Sequence, residues 1–115
     1  MKTKSRPPAA HQQFVRRFRK LGQAWDLVNE EGGGGPLDAR TQRLVKLGIA
    51  IGALREGAVH SGVRKARDAG ASLAEMEQVV ALAASTIGFP ASVAVWSWVR
   101  EEAAGRARRP RRRQR

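Results

Sequence analysis

There is no cysteine in the 115 residues. That excludes a disulfide scaffold, a thiolate metal site and any cysteine redox cycle carried by this chain alone. No apolar run approaches the roughly 20 residues that a membrane-spanning helix requires. The basic start is not followed by an apolar core and a small-residue cleavage site, so no secretory signal is predicted. A soluble, cytoplasmic protein with no membrane partner is expected. No stretch alternates apolar and polar residues as a strand does, and no segment repeats. A chain of this length makes one domain.

Acids are missing from both ends. Residues 1–21 carry seven bases and no acid, and residues 106–115, from Arg106 to Arg115, carry seven more and no acid. The formal charge of +12 therefore belongs to the termini; residues 22–105 hold eight bases and all ten acids, a net charge of −2. A nucleic-acid-binding fold more often carries its bases on a folded face. The Arg106–Arg115 tail has two readings: a disordered, solubilising end, or an element that binds nucleic acid or another polyanion by charge alone. Residues 1–10, with two prolines and little apolar content, are expected to be disordered, as is 105–115, leaving 11–104 as the folded domain.

What is present is helical periodicity. Phe14, Phe18, Leu21, Trp25 and Val28 step by four and three, which predicts one helix from His11 to about Glu30. Gly32 to Gly35 then break the pattern. Pro36-Leu37 follows them in place of the Lys and Ser/Thr of a phosphate loop, so a flexible connection is expected. Asp38 is placed to cap a second helix. That helix is apolar on more than one face, and Gly48 and Gly52 suggest close approach by a neighbour. A third runs from Glu56 to about Ala69 with Val59, Val63 and Ala66 as its stripe, and Gly70 sits where a left-handed terminator belongs. Ser72 and Glu75 make a capping box for a fourth. Pro90 suits the first turn of a fifth. The fifth carries Trp96 and Trp98, about 200° apart round the axis, so both its faces are apolar. The fold class is all-α with about five helices, and one face of the last is expected to pack on another subunit.

The third helix carries the candidate chemistry. Glu56 and His60 are one turn apart on one face, where a carboxylate can orient an imidazole for general acid/base work near neutral pH. Arg55 and Arg64 flank them as candidate holders of an anionic substrate. One His and one Glu on one helix do not supply the three protein ligands usual at a catalytic zinc, so no metal and no cofactor is predicted. Only copies gathered from several subunits would complete such a set. The pair also has a plainer reading, an exposed helix pair worth a few tenths of a kcal/mol. His11 lies in a polar segment and is expected to be solvated.

LDARTQRLVKLGIAIGA, then the ordered set Ala66, Gly70, Glu75 and Gly88-Phe89-Pro90-Ala91, resemble the carboxymuconolactone decarboxylase-like family, which also contains the alkylhydroperoxidase D-like proteins. The resemblance spans about Phe14 to Glu102. It implies an all-helical domain assembling as a homotrimer or homohexamer. The peroxidase-like branch of the family uses a Cys-x-x-Cys pair and a His four residues after the second Cys. Counted back from Gly70, those places hold Arg55, Ala58 and Gly62, so no thiol peroxidase activity of its own is expected. The decarboxylase branch has its His where this chain has Gly62, two residues after His60. Two functions follow as expectations. One is general acid/base chemistry on a small organic acid or lactone at Glu56 and His60. The other is a non-catalytic oligomeric scaffold whose basic tails bind a polyanion.

Overall fold

A computed structural model of the protein describes residues 9–108, and the side chains of residues 9–105. Of the ends expected to be disordered, 1–10 and 105–115, residues 1–8 and 109–115 lie outside the described residues, whereas 9–10 open the first helix and 105–108 close the last; the polyanion-binding reading of Arg106–Arg115 concerns side chains outside that range. All regular structure among the described residues is helical: α1 (Ala9–Arg17), α2 (Arg19–Gly33), α3 (Ala39–Gly52), α4 (Glu56–Asp68), α5 (Leu73–Ile87) and α6 (Phe89–Arg108). The all-α class holds, but there are six helices where about five were expected. The single helix predicted over His11 to Glu30 is two, α1 and α2. The chain leaves helical geometry at Phe18 (φ −121°, ψ 76°). Sequence spacing could not show this, because the bend keeps Phe14 and Phe18 together, with ring centroids 4.9 Å apart. What allows the bend is Gly22: a Cβ there would lie 3.0 Å from the Val15 Cβ, so α2 closes on α1 only with glycine at that point.

The other four helices close a ring. α3 packs on α4 and α5, and α6 packs on α5 and α4. The interior is Leu47 and Ile51 from α3, Val59, Val63 and Ala66 from α4, Met76 and Val80 from α5, and Val95 and Val99 from α6. Eight of these nine, all but Val80, have no solvent exposure, and Leu47, Ile51 and Met76 are the largest. The stripe read from the sequence on α4 is the one buried. On α6 the two tryptophans part: Trp98 packs against the core, and Trp96 is 42% exposed. Trp96 donates its indole N–H to Glu77 at 3.0 Å and stacks beneath the Arg100 guanidinium.

Local signals set the helix ends. The Asp38 carboxylate accepts the Thr41 backbone N–H at 2.8 Å and starts α3. The Gln42 amide reaches back to the Gly33 and Leu37 carbonyls and ties down the glycine-rich connection. Ser72 and Glu75 form the reciprocal capping box that opens α5. Gly70 (φ 97°) takes the left-handed turn after α4 that a side chain would strain.

Two of these caps carry a pH signature. Hydrogen bonds from Thr41, side chain first and backbone second, hold the Asp38 carboxyl below its ordinary range. The Ser72 backbone N–H, then the Arg40 guanidinium, does the same for Glu75. Both groups titrate lower folded than unfolded. Their contribution is complete above the ordinary carboxyl range, about pH 4, and is lost as pH falls through the folded values. In thermal melts followed by circular dichroism, Glu75→Gln is expected to flatten the loss of stability between about pH 5 and pH 3. Ser72→Ala is expected to cost about 1 kcal/mol at every pH.

Candidate functional site

α4 displays Glu56, His60 and Arg64 on three successive turns of one face. The core stripe of Val59, Val63 and Ala66 pins that helix against α3 and α6, so the three polar groups sit at the rim of the core. His60 is the pivot. Its Nδ1 lies 2.9 Å from Glu102 Oε1, and its Nε2 lies 3.5 Å from Glu56 Oε2. Arg64 Nη1 is 3.5 Å from the same Glu102 oxygen. The Glu102 and His60 side chains are 17% and 24% exposed, whereas Glu56 is 56% exposed. The tighter and better shielded partner of His60 is thus Glu102, from α6, and not the helix neighbour Glu56.

A carboxylate can only accept, so the hydrogen between them is on Nδ1. Neutral His60 then carries its free lone pair on Nε2, which faces Glu56 and solvent. That is the arrangement in which one carboxylate fixes the tautomer and the other ring nitrogen is left to act on a ligand.

Of the four residues predicted for the site, the structure brings three together: Glu56, His60 and Arg64. Arg55 is not among them. It is the exposed residue that precedes the first turn of α4, in extended geometry (φ −102°, ψ 98°). Sequence reasoning missed Glu102. A signal existed: Val95, Val99 and Glu102 step by four and three, which puts Glu102 on the buried stripe of α6. An acid on an apolar stripe needs a partner.

Positive charge gathers beyond Arg64. Partial burial pushes the Lys65 ammonium down, and Arg43, Lys46 and Arg64 push it the same way. An apolar groove lies elsewhere, between α3 and α5, where Leu44, Val45, Val79 and Leu82 line it. His11 is exposed on α1, as expected.

The Carboxymuconolactone decarboxylase family profile matches residues 13–101, about three-quarters of the chain. The chain belongs to this family. No curated protein and no solved structure matches it significantly. The family match stops one residue short of Glu102, so it includes His60 and Glu56 but not the carboxylate that holds the histidine. The place where the resemblance puts the family histidine, Gly62, is occupied by packing. A Cβ there would meet Leu47 Cδ1 at 3.2 Å. Any side chain at 62 begins by making Leu47 give way by a few tenths of an ångström, while His60, two residues earlier, lies at the rim. None of the described helices is long and apolar enough to cross a membrane.

Proposed function

We propose that this family member performs general acid/base chemistry on a small organic acid or lactone, with His60 as the proton carrier, Glu102 as its positioning residue and Arg64 as the anchor for a substrate carboxylate. The observation that supports it most is the shielded 2.9 Å contact from His60 Nδ1 to Glu102. It frees Nε2 to take a proton from a carbon beside a carbonyl and to return one to the rearranged product. The basic cluster of Arg43, Lys46, Arg64 and Lys65 favours an anionic substrate. With no cysteine, hydroperoxide reduction by a thiol pair is outside its reach.

Deuterium exchange tests this without knowing the product. Small carboxylated lactones are incubated with the protein in D2O, and exchange at the carbon beside the carbonyl is followed by proton NMR. Exchange above the uncatalysed rate is expected, with a loss of about 10²–10⁴-fold in His60→Gln. Glu102→Gln is expected to lose less and to keep the KM of the parent. Exchange that survives His60→Gln at full rate would overturn the assignment.

We also propose that the protein works as a homo-oligomer. The support is a band of exposed apolar side chains running from Trp25 and Val28 on α2, across Val45 and Ile49 on α3, to Leu82 on α5. Val45 lines both grooves along this band, one between α2 and α3 and the other between α3 and α5. Contiguous apolar surface of this kind marks a contact surface more often than a solvated one.

A further inference from the structure

We infer that Glu56, His60 and Glu101 form a divalent transition-metal site between the start of α4 and the end of α6. One ligand atom from each of the three lies within 4.8 Å of the others. Sequence reading rejected a metal because α4 supplies only two ligands. α6 brings the third, 41 positions after His60.

Three observations favour an ion over a mere cluster of acids. The first is chemical. The set is one imidazole and two carboxylates, a mixed nitrogen and oxygen set of the kind that zinc and its first-row neighbours take. Three protein ligands leave a further position open to water or a small anion, as at catalytic centres.

The second is the spacing of His60 Nε2 from Glu56 Oε2. At 3.5 Å it is too long for an N–H···O hydrogen bond, which spans about 2.7–3.2 Å. Two ligands each about 2.0–2.2 Å from a tetrahedral metal lie about 3.3–3.6 Å apart. The contact fits the edge of a coordination sphere better than it fits a hydrogen bond. Glu56 and Glu101 are both exposed, so their side chains are free to close the remaining distance.

The third is the support. His60 Nδ1 is held by Glu102, a residue outside the proposed ligand set. A histidine that binds metal through one nitrogen commonly donates the other N–H to a carboxylate, which fixes the ring and raises its basicity. Arg64 partly neutralises Glu102. Arg100, the base nearest to Glu101 in the chain, is turned away: it pairs with Glu77 at 3.6 Å and covers the Trp96 ring. Three of the ten acids of a strongly basic chain thus surround one histidine.

The site stands on this geometry and does not depend on the acid/base reading. The two meet at one atom, because an ion on Nε2 takes the lone pair that would accept a proton.

Zn²⁺ titrated into the full-length protein in a calorimeter tests the inference. One ion per chain is expected. His60→Gln is expected to abolish binding. Glu56→Gln and Glu101→Gln are each expected to weaken it at least tenfold, and Glu102→Gln by about 10–100-fold. His11→Gln and Glu77→Gln are expected to leave it unchanged. Glu101 is exposed, so its variant keeps the fold, and a helical circular dichroism spectrum confirms this for each protein. No binding at about 1 mM Zn²⁺, or equal affinity in Glu101→Gln, overturns the inference. Failure here with His60-dependent deuterium exchange intact removes the metal and leaves the acid/base reading standing. Zinc binding without exchange does the reverse.

Discussion

Leu47→Ala is expected to lose stability in the upper half of the about 2–5 kcal/mol range for a buried leucine. The reason lies in what faces it. Leu47 has no solvent exposure, and its Cδ1 sits against Gly62 of α4, 3.2 Å from where a Cβ would stand. A cavity opened at Leu47 has a bare helix backbone as one wall. No side chain at 62 can swing in to fill it, so the transfer loss and the cavity loss are both felt in full. For a domain of this size the thermal midpoint falls by about 4–8 °C per kcal/mol. A drop of roughly 14–40 °C is the corresponding reading in a thermal melt at fixed protein concentration.

Gly62→Ala checks the explanation. In the parent it forces Leu47 Cδ1 to give by a few tenths of an ångström. In the Leu47→Ala background its methyl enters the void. The double variant is therefore expected to be more stable than the sum of the single effects predicts. A coupling of about 0.5 kcal/mol or more between the two sites is the measurable sign. Strict additivity would show that the two helices do not meet there.

The same contact shows what the sequence could and could not reveal. Periodicity identified the buried stripe of α4, because 3.6-residue spacing is a property of single helices. The caps at Asp38 and Ser72 were legible for the same reason: each is made within four residues. Close approach is a property of helix pairs, and there the reading slipped. Gly48 and Gly52 were expected to mark it. Gly48 does meet Val79 at ordinary contact distance, but nothing lies within 4 Å of a Cβ at Gly52. Between α3 and α4 the tight position is Gly62, which the sequence marked only as the place of the family histidine. The site divides along the same line. Glu56, His60 and Arg64 were legible because they share α4. Glu101 and Glu102 come from 41 and 42 positions beyond His60, across the ring from α4 to α6, and only the fold brings them there. Arg55 lies before the first turn of α4, where helical spacing no longer fixes a side chain's direction.

Val45→Glu combined with Leu82→Glu is expected to convert an assembly into single chains. Wild-type protein is expected to sediment well above 12.6 kDa, and the double variant at that mass with its helical spectrum intact. Neither residue belongs to the buried core. Val45 is 46% and Leu82 is 69% exposed, so their replacement leaves the ring of four helices untouched. In an assembly that buries the band, each position loses about 1.5–3 kcal/mol of apolar burial and gains a carboxylate that must be desolvated. Two such changes on one chain weaken association by at least about 10²-fold, since each 1.4 kcal/mol is a factor of ten. The alternative outcome has its own physical meaning. Wild-type protein at 12.6 kDa across micromolar concentrations would mean that the α1–α2 hairpin shields enough of the band in one chain. Trp25 and Val28 speak against that, since 49% and 61% of their surfaces stay open even with α2 lying beside α3. A helix that turns its apolar stripe toward a neighbour and still leaves half of it in water has room for a second partner, and a copy of the same chain carries the matching surface.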